Sequence, residues 1–247
     1  MSPTDSSRRI GLARVLSKLG HCSRSEASKL IRAGRVCLNG GICRDPEAPV
    51  RSKRDRIVVD GQSLAAQAKV YLMLNKPRGV VTTASDEKGR ETVYAYLDKE
   101  LPWVAPVGRL DRATEGLLLL TNDSEWAAGV LAPESHLDKT YHVQIGAVAD
   151  AALIESITRG VRTGEGIFLR AKSAQILRGG EKNTWLEIVL DEGKNRQIRR
   201  ILSQLGIDVR RLLRVAIGPL RLGELPKGAS RVLTETEKRA LDRALRL

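Results

Sequence analysis

Aromatic side chains are scarce: one Phe, four Tyr and three Trp in 247 residues. Few accompany the basic residues of the N-terminal end, so contacts to phosphate and to shape should outweigh base stacking in any nucleic-acid binding there. Cysteine is confined to Cys22, Cys37 and Cys43. The number is odd and no C-x-x-C pair occurs, even with His21 nearby. Reduced, partly buried thiols are expected, with neither a disulfide framework nor a metal site. No apolar run approaches the length needed to span a bilayer, and the start MSPTDSSRR lacks a signal-peptide core. A soluble, cytoplasmic protein with no membrane partner is the expectation. P-loop, G-x-G-x-x-G, H-E-x-x-H and G-x-S-x-G motifs are all missing, so nucleotide hydrolysis, nicotinamide chemistry and serine hydrolysis lack motif support. No internal repeat is present.

Positive charge is abundant, with 42 Lys and Arg against 29 Asp and Glu, a net +13. It is densest at the N-terminal end, where residues 1–68 hold 13 basic and 6 acidic side chains. A polyanionic partner with salt-dependent binding is implied, nucleic acid above all. The length suffices for one large or two modest domains.

Residues 9–19 place Ile10, Leu12, Ala13, Leu16 and Leu19 on one helical face, closed by Gly20. Ser23 and Glu26 open a second helix with an S-x-x-E box, ending at Gly34. Arg35–Cys43 then predicts a hairpin turning at Asn39-Gly40. Arg24, Lys29, Arg32 and Arg35 are left on the polar side. After Gly61 the stretch SLAAQAK predicts a tether, with a boundary near residues 65–69. Beyond it, strands flank N-K-P-R-G at 75–79, a short helix falls at 91–97 and another at 124–131. Tyr141, Val143 and Ile145 alternate as on a half-buried strand. A helix covers 149–161 and strand-like segments cover 166–191. Gly193–Leu205 predicts a helix with a stripe of Ile198, Ile201, Leu202 and Leu205, and Arg199 at the stripe's edge. Residues 208–222 predict a closing strand with Arg210, Arg211 and Arg214 available for RNA. Thr234 with Glu237 caps a last helix running to Leu247.

The chain is organised around GRLDRATEGLLLLTND at 108–123. Leu117–Leu120 predicts a strand buried on both faces, and Asp111 lies in the turn ahead of it between Arg109 and Arg112. A lone aspartate there is also what an ordinary turn uses. Arg109, Leu110, Asp111, Thr114 and Gly116 resemble the catalytic motif of RNA pseudouridine synthases, in the branch that modifies single uridines of ribosomal RNA. Lys139–Tyr141 and Gly193–Arg199 are similar to later motifs of that family, and N-K-P-x-G to the segment opening its catalytic domain, with Lys76 and Pro77 structural. The N-terminal module resembles the RNA-binding domain of small-subunit ribosomal protein S-four, through Ser23, Arg24, Lys29, Arg32, Arg35 and Asn39.

The resemblance implies an α+β chain: a helix-helix-hairpin RNA-binding domain at 8–65 and a larger mixed-sheet catalytic domain at 69–247. It implies cofactor-free isomerisation of uridine to pseudouridine in ribosomal RNA, the large subunit being favoured over the small. Asp111 would be the catalytic carboxylate, Arg199 its ion-pair partner and Tyr141 the ring stacked on the uracil. Arg109 would help extrude the nucleotide, and Arg196 counts among the RNA contacts. A monomer is expected. A non-catalytic RNA-binding assembly factor would fit the basicity equally well but would not need Asp111, Tyr141 and Arg199 together. A helix-turn-helix DNA regulator fits residues 9–33 alone.

Overall fold

The computed structural model describes residues 9–51, 54–65 and 67–245. The chain forms two compact units. The first runs to Tyr71 and includes Asp98–Ala105 and Leu120–Ser124; the second holds Leu72–Leu97, Pro106–Leu119 and the chain from Glu125 onward.

In the first unit, helix α1 (Leu12–Lys18) and helix α2 (Arg24–Arg32) bury Leu12, Leu16, Ala27 and Ile31 against Val36, Ile57 and Val59. The Ser23 hydroxyl accepts from the Glu26 amide at 3.1 Å, as the S-x-x-E box predicts. Strands β1 (Val36–Leu38) and β2 (Gly41–Cys43) are the expected hairpin, and β1 also pairs with β3 (Ile57–Val59). Asn39 and Gly40 both take positive φ, 54° and 89°, the primed-turn geometry that makes Asn-Gly the preferred hairpin pair. The three thiols are unpaired and partly buried.

The anticipated tether is corrected in part. Gln67 N–H donates to the Leu19 carbonyl, and the Asn122 side chain brackets the backbone at Ala68 and Val70. Small polar residues here follow a fixed path rather than a free one. Ala66 lies outside the described residues, as do residues 52–53 of the basic loop and residues 246–247, to which the last helix was expected to run.

In the second unit a mixed sheet carries the site. The strands of its main path are β4 (Tyr71–Lys76), β5 (Glu115–Thr121), β6 (Lys139–Ile145), β7 (Ser173–Gly179), β8 (Thr184–Leu190), β9 (Val209–Ile217) and β10 (Ser230–Val232). Across the sheet they run β7-β8-β6-β9-β5-β4-β10, β9 parallel to β5 and antiparallel to β6. All seven residues of β5 are buried, as its four leucines require of a central strand. Helices α4 (Ala151–Arg159) and α5 (Gln197–Gln204) cover one face through Ile157, Ile198, Ile201 and Leu202, packed on Val143, Ile145 and Leu186. The helix α3 spans Ser124–Leu131, and α6 (Glu235–Leu245) opens on a reciprocal Thr234–Glu237 cap. The helix expected at 91–97 is a single 3-10 turn, Val93–Tyr96.

At the β5–β9 crossing Gly116 has φ +101°, and a Cβ there would lie 2.3 Å from the Arg214 carbonyl oxygen. Only glycine allows these strands to approach so closely. Glu115, beside it, is buried and takes two hydrogen bonds from Arg211, at 2.9 and 3.0 Å, with Lys227 at 3.3 Å. Arg211, though exposed, thereby also braces β9 against β5.

Candidate active site

Asp111 sits on the loop entering β5, and that loop is held by its own main chain. The Leu110 carbonyl accepts from the Thr82 hydroxyl at 2.8 Å, that of Arg112 from Gly79 N–H at 2.7 Å, and that of Ala113 from Arg199 Nη2 at 3.0 Å. Lys76 Nζ donates to the carbonyls of Asp111 (3.3 Å), Thr114 (2.9 Å) and Pro77 (3.0 Å). Thr114 N–H returns to the Asp111 carbonyl at 2.9 Å. Every carbonyl from Leu110 to Thr114 thus has a donor, and the Asp111 carboxylate is left outside this scaffold. It is about a third exposed, at 34%.

Lys76 is fully buried. Burial pushes its ammonium down to about 8, only partly offset by Glu115 and Asp111. The structural role expected for this lysine is thus specific: it ties the end of β4 to the loop bearing Asp111.

The Asp111 carboxylate opens into a cavity of about 870 Å³ lined also by Arg109, Lys139, Tyr141, Arg196 and Arg214. The volume accommodates a nucleoside. Tyr141 stands on β6 with its ring against the core formed by β6, β8 and α5. Arg109 is exposed at the rim. Phe168, 45% exposed, and Arg170 line another wall. Burial and the neighbouring Arg214 charge hold the Lys139 ammonium below its usual range.

The arginine within ion-pair distance of Asp111 is Arg196, at 3.8 Å, not Arg199. Arg199 reaches the same loop two residues further on, at Ala113, and lines a neighbouring cleft of about 410 Å³ with Arg196 and Arg200. Burial lowers its pKa, and Asp111 is close enough to oppose the shift. The physical reason is where the helix starts. Periodicity alone starts it at Gly193, but Arg196 adopts a left-handed conformation, φ 49° and ψ 32°, and α5 begins at Gln197. That break turns Arg196 back toward Asp111. Buried Gln197 fixes the break, donating to the Arg170 carbonyl at 2.9 Å and to Glu192 at 2.6 Å.

Arg214, expected to be available for RNA, is instead 7% exposed, with Nε donating to the Leu117 carbonyl at 2.8 Å. The signal that reveals this is period two: Leu212, Arg214 and Ala216 share the buried face of β9. Arg210 remains exposed. Among the described residues no cluster of three or more His, Cys, Asp or Glu could hold a metal ion, and no helix is long and apolar enough to cross a membrane.

In the first unit Arg24 and Arg32 are exposed, and Lys29 lies 3.6 Å from Glu26. Arg35 is clamped by Asp60 through two bonds of 2.8 and 2.6 Å, which holds the Asp60 carboxyl below its usual range. Asn39 accepts from Arg56 N–H and donates to Asp55. Arg35 and Asn39 thus shape the hairpin end, and Arg24 and Arg32 point to solvent.

Comparison with known proteins places these features. The sequence profile of RNA pseudouridylate synthase matches residues 70–204, and that of the S4 domain matches residues 10–62. An uncharacterized RNA pseudouridine synthase of Aquifex aeolicus is 38% identical over 240 residues, 96% of each chain. The ribosomal large subunit pseudouridine synthase B of Bacillus subtilis is 36% identical over 231 residues, covering 93% of this chain and 94% of that one. A crystal structure described as a pseudouridylate synthase superposes with a TM-score of 0.65 at 30% identity, covering 94% of this chain and 99% of the other. With its Asp111 loop, Tyr141 strand and α5 inside one matched segment, the chain belongs to the RNA pseudouridylate synthase family and carries an S4 domain.

Proposed function

We propose that this enzyme isomerises a uridine of large-subunit ribosomal RNA to pseudouridine, with Asp111 as the catalytic carboxylate. The observation that carries the reading is the rigidity of the 110–114 loop: five fixed carbonyls present one carboxylate, without backbone duties, to a nucleoside-sized cavity beside Tyr141. The Bacillus subtilis relative's name supports the choice of RNA.

A uridine swung out of its helix loses its stacking neighbours, and the Tyr141 ring offers a replacement face. Arg109 at the rim occupies the vacated space or the adjoining phosphate. Asp111 acts at the sugar while the bond from N1 to C1′ breaks; the base then turns and is rejoined through C5. Arg196 stands within ion-pair distance of the carboxylate, and Arg199 acts one step back by holding the loop at Ala113.

The test is a pseudouridine map of ribosomal RNA, by carbodiimide labelling and primer extension, in cells lacking the protein and in cells complemented with it. Loss of one large-subunit site, restored by the wild type, is the expected outcome. A small-subunit site would reassign the substrate. An unchanged map would remove the ribosomal reading and leave a non-catalytic assembly role as the better account.

The S4 unit supplies the salt-sensitive part of binding in this reading. Replacing Arg24, Lys29 and Arg32 together by Gln is expected to flatten the dependence of log K on log salt by about 2 to 3, at roughly 0.7 to 0.9 for each phosphate no longer neutralised. Filter binding of ribosomal RNA across a salt series measures it, and an unchanged slope would take these side chains off the RNA.

A further inference from the structure

Arg214 occupies a costly position with no visible return in the free protein. It lies mid-strand on β9, opposite Tyr141 on β6 and opposite Gly116 on β5, so its backbone is fixed from both sides. Nε is spent on the Leu117 carbonyl, while Nη2 is shielded from solvent and has no acceptor. Among the described residues no carboxylate forms an ion pair with it. Buried guanidinium groups are ordinarily paired, and an orphaned donor on a rigid strand calls for a missing acceptor.

The same residue lines the Asp111–Tyr141 cavity, with Lys139 as a second cation. Three carboxylates line that cavity against six Lys and Arg: Asp111 is already near Arg196, Glu192 pairs with Lys194 at 3.0 Å, and Asp191 lies close enough to Lys139 to act on its charge. The floor is therefore electropositive beside the tyrosine ring, and it suits a guest that brings acceptors and gains negative charge. A phosphodiester would meet exposed Arg109 and Arg196 before reaching this depth. A flat base lying on Tyr141 presents its carbonyl edge at the level of β9. We propose that Arg214 is a further catalytic residue, whose guanidinium donates to a carbonyl oxygen, O2 or O4, of the uracil held on Tyr141.

This rests on the cavity's being the uridine site. When the N1–C1′ bond breaks, its electron pair leaves with the base, and the charge spreads over N1, O2 and O4. C1′ is taken up by the Asp111 carboxylate, or C2′ gives its proton to that carboxylate. After the base turns, C5 bonds to C1′ as the C1′–Asp111 bond breaks, or as C2′ recovers its proton from the carboxylate; C5 then loses its proton and N1 takes one up, so pseudouridine is an isomer of uridine with nothing consumed. A donor fixed at O2 or O4 before the bond breaks strengthens as the charge develops, which lowers the barrier more than it tightens ground-state binding.

The test uses the full-length enzyme in single-turnover reactions on a synthetic RNA stem-loop carrying the uridine found by the map. Arg214→Met is expected to slow conversion by about 10²- to 10³-fold, the usual effect of removing one preorganised donor. Affinity for the RNA should stay within about threefold, and the melting temperature should not fall, because an unpaired buried charge is removed. Arg214→Lys, which keeps the charge but cannot serve both Leu117 and the base, should still lose about tenfold. The decisive arm replaces the target by 2-thiouridine or 4-thiouridine: one of them should slow the wild type and add no further penalty in Arg214→Met. Equal thio penalties in both enzymes, or Arg214→Met within about threefold of wild type, would overturn the assignment. Wild type run in parallel separates the two readings. No product from wild type removes both, whereas product from wild type and Arg214→Met alike removes Arg214 only.

Discussion

Asp111→Asn is expected to abolish pseudouridine formation, by a factor on the order of 10⁴, while leaving fold and RNA affinity unchanged. The argument begins with what the carboxylate does not do. None of the bonds that hold the 110–114 loop uses it; they run through the carbonyls of Leu110 to Thr114 and through the Thr114 amide. Its ion pair with Arg196, at 3.8 Å, joins two partly exposed groups and so contributes less than about 1 kcal/mol. Asparagine has the same shape, so the loop has no reason to move. What disappears is the negative charge that the proposed mechanism places at the sugar when N1 departs. The measurement is single-turnover conversion beside a binding isotherm and a thermal melt. Conversion within tenfold of wild type would take catalysis away from Asp111, and a melt shifted by several degrees would mean that the carboxylate has structural work the distances do not reveal.

How far this site can be read in the sequence depends on whether a local rule governs each residue. Ser23 with Glu26, Asn39 with Gly40, Thr234 with Glu237 and the four leucines of β5 obey caps, turns and periodicities that act within a few residues, and each stands where those rules put it. Tyr141 falls in register with buried Val143 and Ile145 on β6 and is itself partly buried. The helical stripe puts Arg199 at its edge but does not identify its partner. A helical projection carries no information across a left-handed residue, and the break at Arg196 exchanges which arginine faces Asp111. Lys76 and Arg214 are hidden for another reason. Each continues a period-two row of buried residues, Leu72–Leu74–Lys76 and Leu212–Arg214–Ala216, yet a charged side chain is ordinarily assigned to solvent. A cation in register with a buried row is the sign of a structural or catalytic charge, and here it occurs twice: Lys76 holds the Asp111 loop and Arg214 lines the cavity.

Lys76→Met is the sharper test of how that arrangement works. Methionine fills a similar volume, so no large cavity opens, but three carbonyls lose their common donor. Losing these bonds costs stability, and no longer burying an ammonium returns part of it. The net destabilisation should be modest, about 1 to 3 kcal/mol. Catalysis should suffer more. With the Asp111 and Thr114 carbonyls released, a displacement of the carboxylate near 1 Å is enough for a loss of about 10²-fold. Proton linkage gives a second readout. Lys76 titrates at about 8 in the folded protein against 10.5 ordinarily. Between these values the unfolded chain binds more protons at this residue, so its contribution to stability rises with pH while its ammonium bonds are lost. The rate advantage of wild type over Lys76→Met should thus be full near pH 7 and shrink as pH passes 8, with no matching fall in the wild type's thermal stability from this group. A rate ratio constant from pH 7 to 9.5 would mean that the charge on Lys76 is not what holds the loop. A ratio that narrows would make one buried ammonium, 3.3 Å from the Asp111 carbonyl, the positioning residue for the Asp111 carboxylate.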